Sequence, residues 1–228
     1  MIAKIYSIIE RKTDFCRNLT IPLIDKISKE TKSSEIVLDA GSGDLRYKKY
    51  FNHCKYISAD FQKVSKPYGE TEIICDLEKI PLKDNSVDKI ICIWVFEHLK
   101  EPEKVLIEFK RILKKKGKIY IISPQGHPEH EIPYDYLRYT QFWYDYMKTK
   151  LGFNKIKVIK MGSYWHVLAH TIFIMPQTLP FYKNKLLRFT IGLPFYGICT
   201  VLAYILPIFS FLDKEKKLVI GYFVKYEK

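Results

Sequence analysis

Three acids and two glycines in the first third of the chain have the types and spacing to hold a nucleoside. The run Ile36-Val37-Leu38-Asp39-Ala40-Gly41-Ser42-Gly43-Asp44 is an apolar strand that ends in an acid and breaks into Gly-x-Gly before an expected helix. Glycine there lets the chain turn tightly and lets a ligand approach with no Cβ in the way. Asp60 closes a second apolar run, Tyr56-Ile57-Ser58-Ala59-Asp60, where a carboxylate can accept two hydrogen bonds from a ribose 2′,3′-diol. Asp76-Leu77 follows a third run, so that the acid can accept from an adenine amino group while the leucine packs on the ring. A fourth run, Ile90 to Val95, enters a loop carrying Glu97-His98.

The elements that must position these groups alternate. Strands are expected over 36–40, 55–59, 72–75, 89–94 and 118–123, and a helix over 101–113 with Val105, Leu106, Phe109, Ile112 and Leu113 on one face. Further strands are expected over 153–159 and 218–226. This order predicts an α/β fold, doubly wound around a mostly parallel sheet. Four segments follow: an N-terminal helical segment over 1–33, an α/β core over 34–161, a hydrophobic insertion over 162–217 and a closing strand over 218–228. Ile2, Ile5 and Ile9 recur at helical spacing, and Pro22 is expected to interrupt that pattern.

At 228 residues the chain can bury one sizeable core. Its five cysteines lack any C-x-x-C spacing, which fits a reducing cytoplasm without disulfides or structural zinc. No cleavable signal is visible in the first residues. The net charge of +13 includes Lys110, Arg111, Lys114, Lys115, Lys116 and Lys118, a cluster at a helix end on the sheet edge opposite the ligand site. No aromatics interleave with it, so no nucleic-acid partner is expected.

Taken together, Leu38 to Asp44, Asp60, Cys75 to Leu82 and Asp88 to Leu99 resemble the class I S-adenosylmethionine-dependent methyltransferases, in particular the quinone-biosynthesis and small-molecule branch. The resemblance covers about residues 34–160 and the last ten. It implies a Rossmann-like methyltransferase fold with seven strands, the last antiparallel and preceded by the insertion. It also implies S-adenosylmethionine as cofactor. Asp39 and the backbone of Gly41 and Gly43 would hold its methionine end, Asp60 its ribose, and Asp76 and Leu77 its adenine, with Trp94 beside the sulfonium. Leu45 stands where the family often has a further glycine; a pyrophosphate needs that glycine more than this cofactor does, which also argues against a nicotinamide dehydrogenase.

A hydroxyl acceptor calls for a general base, which favours histidine. His98, His127 and His130 are the catalytic candidates. The spacing of His127 and His130 suggests a metal, but no third ligand is evident in the sequence and prolines flank the pair, so none is expected. Pro133 to Thr140 resembles a run found in many of these enzymes. It offers Tyr134 and Arg138 as one wall of an acceptor pocket, or else Arg138 and Asp135 order the loop. Thr140 is the expected N-cap of the next helix. His166 is a further acceptor-binding candidate.

Residues 189–212 contain no charged side chain, long enough to cross a bilayer. A single crossing would prevent the last strand from rejoining the sheet, and a double crossing would leave the basic turn at Lys183, Lys185 and Arg188 on the far side. The expected arrangement is a helical element lying in the inner leaflet, drawn to an anionic surface by nearby lysines. The expected function is methyl transfer to a hydrophobic or lipid-linked acceptor by a peripheral or monotopic cytoplasmic enzyme. A soluble methyltransferase whose insertion is a lid or homodimer interface, and a non-catalytic binding protein, are the alternatives.

Overall fold

The computed structural model describes residues 14–64, 67–180 and 184–228. The expected helix at Ile2–Ile9 lies outside them. The chain divides into two compact units: Pro22–Ile159 with Gly221–Lys228, and Lys160–Ile220 with the described part of Met1–Ile21.

The first unit is built on a seven-stranded sheet. Its strands are β1 (Ile36–Ala40), β2 (Lys55–Asp60), β3 (Ile73–Ile74), β4 (Val87–Ile93), β5 (Leu113–Pro124), β6 (Lys155–Met161) and β7 (Gly221–Glu227), in the order β3-β2-β1-β4-β5-β7-β6. The first five run parallel and β7 runs antiparallel to β5. Val37 to Ala40 and Lys89 to Ile93 are buried without alternation, as strands covered on both faces require. Between β4 and β5 lies the helix Pro102–Ile112, which buries Val105, Leu106, Phe109 and Ile112 along one stripe. Between β5 and β6 lies the helix Gln141–Leu151, closed by Gly152 in the left-handed conformation.

Three local expectations are corrected, and that for Thr140 holds in position without its side-chain bond. The helix after Gly-x-Gly does not form: residues 41–47 turn, and only the 3-10 turn Lys48–Tyr50 follows. Leu45 sits at φ +59, which a right-handed helix cannot absorb. Pro22 does not stop its helix, which runs Phe15–Lys29 through it, with the fully buried Ile24 and nearly buried Ile27 supplying packing that outweighs one lost backbone bond. Thr140 occupies the N-cap position, yet its side chain makes no capping bond. β5 begins at Leu113 rather than 118, so Lys114 to Lys116 lie in its irregular first part.

Three members of the basic cluster are engaged in structure. Lys110 Nζ donates to the carbonyls of Leu151 and Gly152, at the C-terminus of the Gln141–Leu151 helix. Arg111 holds Glu108 and Asp84, and Lys114 pairs with Asp88 at 2.7 Å. Cations at helix C-termini meet the negative end of the dipole.

In the second unit the helix Tyr164–Ile174 packs on a continuous helical run, Arg188–Leu212, which passes from π through the α-helix Leu193–Ile205 to a 3-10 end. Ala169, Phe173, Tyr196 and Ala203 form the core, with the Phe173 and Tyr196 rings 5.6 Å apart. The rest of the run is outward-facing: only 22% of its most apolar window is buried.

Candidate active site

At the carboxyl edge of the parallel strands, β1 and β2 are paired in register through Ala40 and Ala59. The chain leaves β1 with Gly41 and Ser42 both donating to the Ala59 carbonyl. Gly41 is at φ +84, and a Cβ there would collide with the Val95 side chain in the loop after β4. Its role is therefore to let that loop close down. Gly43 is at φ +51, and a Cβ there would meet nothing within 4 Å, so its bare backbone faces open space.

Asp60 ties the glycine loop to β2. Its Oδ2 accepts from Gly43 N and its Oδ1 from Gln62 N, both at 2.8 Å. A carboxylate has about four lone-pair sites, so two remain for a vicinal diol. Asp39 is buried and accepts from the Tyr56 hydroxyl. Burial, opposed by that bond and reinforced by Asp60 and Asp44, pushes its carboxyl up to about 7. Ser42 Oγ is buried in the same loop with no hydrogen-bond partner among the described residues. Asp76 accepts from Glu78 N through Oδ1, and Leu77 is buried beside it. Trp94 lies outside β4, at φ +58, with its backbone N–H donating to the Ile122 carbonyl. Acids at three adjacent strand ends, an open glycine backbone and an orphaned hydroxyl fit the adenosyl sulfonium that the resemblance implies.

A second group gathers the loops after β4 and β5. Glu97 and His98 end a 3-10 turn, and His127, His130 and Glu131 come from the loop after β5. The His130 ring lies 4.9 Å from that of His98 and 4.7 Å from that of His127. The Glu97 carboxylate, fully buried, lies 3.7 Å from His130 Nε2 and 3.9 Å from His98 Nε2, ion-pair distances too long for hydrogen bonds. That carboxylate raises the His130 pKa, whereas burial lowers that of His127.

Arg138 grips Asp135 through both nitrogens, at 2.5 and 2.7 Å, and also donates to the carbonyls of His127, Pro128 and Leu137. That pairing holds Asp135 well below the usual carboxylate range. The geometry is that of a loop brace rather than a ligand clamp. Tyr134 supplies the carbonyl that meets His98 Nδ1 at 2.8 Å. His166 belongs to the other unit, in the first turn of the Tyr164–Ile174 helix, where Ser163 Oγ lies 3.0 Å from its Nδ1. Glu97, Ser42 and Tyr56 join the site groups without a motif that marks them in the sequence, except that the Glu-His pair is a signal for the first.

Residues 38–121 match the family model described as a methyltransferase domain. The chain is 32% identical over 99 residues, 41% of its length, to "Uncharacterized protein MJ0638" of Methanocaldococcus jannaschii. Each match spans about two fifths of the length of the curated relatives. A crystal structure of a SAM-dependent methyltransferase from Aquifex aeolicus shares 25% identity and a TM-score of 0.50, covering 68% of this chain and 92% of that one. One from Archaeoglobus fulgidus, at 14% identity and TM-score 0.57 over 93% and 94% of the two chains, shares the fold.

Proposed function

Because the α/β core of this chain belongs to the class I S-adenosylmethionine-dependent methyltransferases, we propose that the protein methylates a hydroxyl of a hydrophobic or lipid-linked acceptor, of glycan or isoprenoid type, at the inner membrane surface. The observation that carries the membrane half is the outward face of Arg188–Leu212. Ile198 (60%), Ile208 (67%) and Phe211 (70%) stand exposed on it, along with most of the large apolar side chains around them. A soluble monomer rarely leaves so much contiguous apolar surface in water. Within the sheet, Gly221 pairs with Pro124, so β7 starts beside the carboxyl end of β5.

S-adenosylmethionine supplies an electrophilic methyl group whose in-line displacement depends chiefly on positioning. Asp60 would hold the ribose, Asp76 and Leu77 the adenine, and Asp39 with the glycine loop the methionine end. Arg138 braces the loop that brings the histidines together. His127 Nδ1 meets the Pro128 carbonyl at 2.9 Å, so the neutral ring carries its basic lone pair on Nε2, the nitrogen that would take the acceptor's proton. His127→Asn is therefore expected to lower kcat by roughly 100-fold or more with S-adenosylhomocysteine affinity unchanged. Full turnover by this variant would remove His127 as base.

The membrane half is tested by flotation with vesicles containing anionic lipid. The protein is expected to float, and Ile198→Glu with Ile208→Glu to leave it in the soluble fraction. Each apolar side chain withdrawn from lipid forfeits about 1.5–3 kcal/mol, so the pair weakens partition by roughly 100-fold or more. Dimers that stay soluble would replace this reading with the lid or dimer interface. Mass spectrometry of lipid extracts from cells with and without the protein, reading a shift of one methyl group, tests the acceptor class.

A further inference from the structure

We propose that Glu97, His98 and His130 form a site for a divalent metal ion of the zinc class. The sequence offered His127 and His130 without a third ligand; the fold instead sets Glu97 and His98, both from the loop after β4, beside His130. One ligand atom from each of the three residues lies within 4.8 Å of the others.

Three observations converge. Both Glu97 carboxylate oxygens are buried and have no hydrogen-bond partner, a costly state for a group that has left water. His98 Nδ1 meets the Tyr134 carbonyl at 2.8 Å, and His130 Nδ1 meets the Pro128 carbonyl at 3.2 Å, so each Nδ1 is the donor. In the neutral form of each ring the lone pair then sits on Nε2, and both Nε2 atoms face the Glu97 carboxylate. Two lone pairs turned toward an anion require something positive between them. A carbonyl bond to the second ring nitrogen is also how metal-bound histidines are commonly oriented.

The dimensions agree. Tetrahedral bonds of about 2.0–2.1 Å set neighbouring ligand atoms about 3.3 Å apart. The Nε2-to-Oε1 separations of 3.7 and 3.9 Å need only a few tenths of an ångström of closure. Glu131 Oε2, 3.8 Å from His98 Nε2, stands close enough to join as a further ligand. Two nitrogens and a carboxylate suit zinc or cobalt better than magnesium, which prefers oxygen. Three protein ligands leave a position open for water or for an acceptor oxygen, whose proton a bound cation would make easier to lose. That use of the site rests on the methyl-transfer reading; the existence of the site does not.

The test titrates chelator-treated full-length protein with Co²⁺, followed by calorimetry and visible absorption. One equivalent should bind, give the bands of a low-coordinate cobalt centre, and be displaced by Zn²⁺. Glu97→Gln and His130→Asn should each weaken Co²⁺ binding by roughly 100-fold or more, with S-adenosylhomocysteine affinity kept within a few-fold as the check on folding. Absence of stoichiometric binding, or binding unchanged by both variants, overturns the site; a protonated histidine would then bridge to Glu97 instead. Stoichiometric Co²⁺ binding without methyl transfer to any lipid acceptor upholds the site and removes the acceptor reading alone.

Discussion

Asp60→Ala is expected to weaken S-adenosylhomocysteine binding by roughly 100- to 10,000-fold, since two hydrogen bonds to a charged acceptor are each worth about 1.5–3 kcal/mol. The side chain has two tasks at once. It can accept the ribose diol, and it already holds Gly43 N and Gln62 N at 2.8 Å, fixing the glycine loop against the end of β2. Removing it leaves two backbone donors to find other partners. Asp60→Asn separates the tasks, because the amide oxygen can still accept one backbone bond while a diol meets a neutral group. It should fall between wild type and alanine. Calorimetric titration checks both, and unchanged affinity in the alanine variant would take Asp60 out of the ribose site.

Asp39→Asn should stabilise the ligand-free protein while weakening its hold on the cofactor. Burial pushes the Asp39 carboxyl up to about 7 from 3.8. The folded state then binds a proton that the unfolded state has released between those values. Stability attributable to this group is fully present below about pH 4, declines as pH rises to about 7, and stays lost above it. At about 1.4 kcal/mol per pH unit the loss comes to roughly 4–4.5 kcal/mol. Asparagine stays neutral, and its oxygen can still accept from the Tyr56 hydroxyl. The stability gain over wild type should therefore be near zero at pH 4 and reach a few kcal/mol at pH 8, read from denaturant midpoints at both. A gain independent of pH would show that Asp39 is already ionised without cost. On the proposed function this cost has an offset, because the methionine ammonium of the cofactor would draw the carboxylate back into its charged form.

The parallel strands β1, β2, β4 and β5 were legible because each is a short, continuous apolar run whose burial is decided by its own residues. The acids at their ends were legible for the same reason, since a strand end is a local event. The helix expected after Gly43 was not a local matter. Leu45 takes a left-handed conformation while its side chain lies against Gly69, where a Cβ would collide with it. Arg138 could be read as a ligand clamp or as a loop brace from its neighbours alone, and the bonds it makes decided for the brace. Lys89 shows the same limit. A lysine in an apolar strand looks misplaced until Glu35, Thr31 and the Glu30 carbonyl are found around its ammonium, which is nearly fully buried.

Order and period along the chain determined the α/β class, the strand ends that carry the acids and the uncharged run after residue 188, because hydrophobic runs and chain breaks act over a few residues. Only the folded chain decided which polar groups meet. Glu97 and His130 are 33 positions apart, and a buried carboxylate finds its partners through space rather than along the backbone.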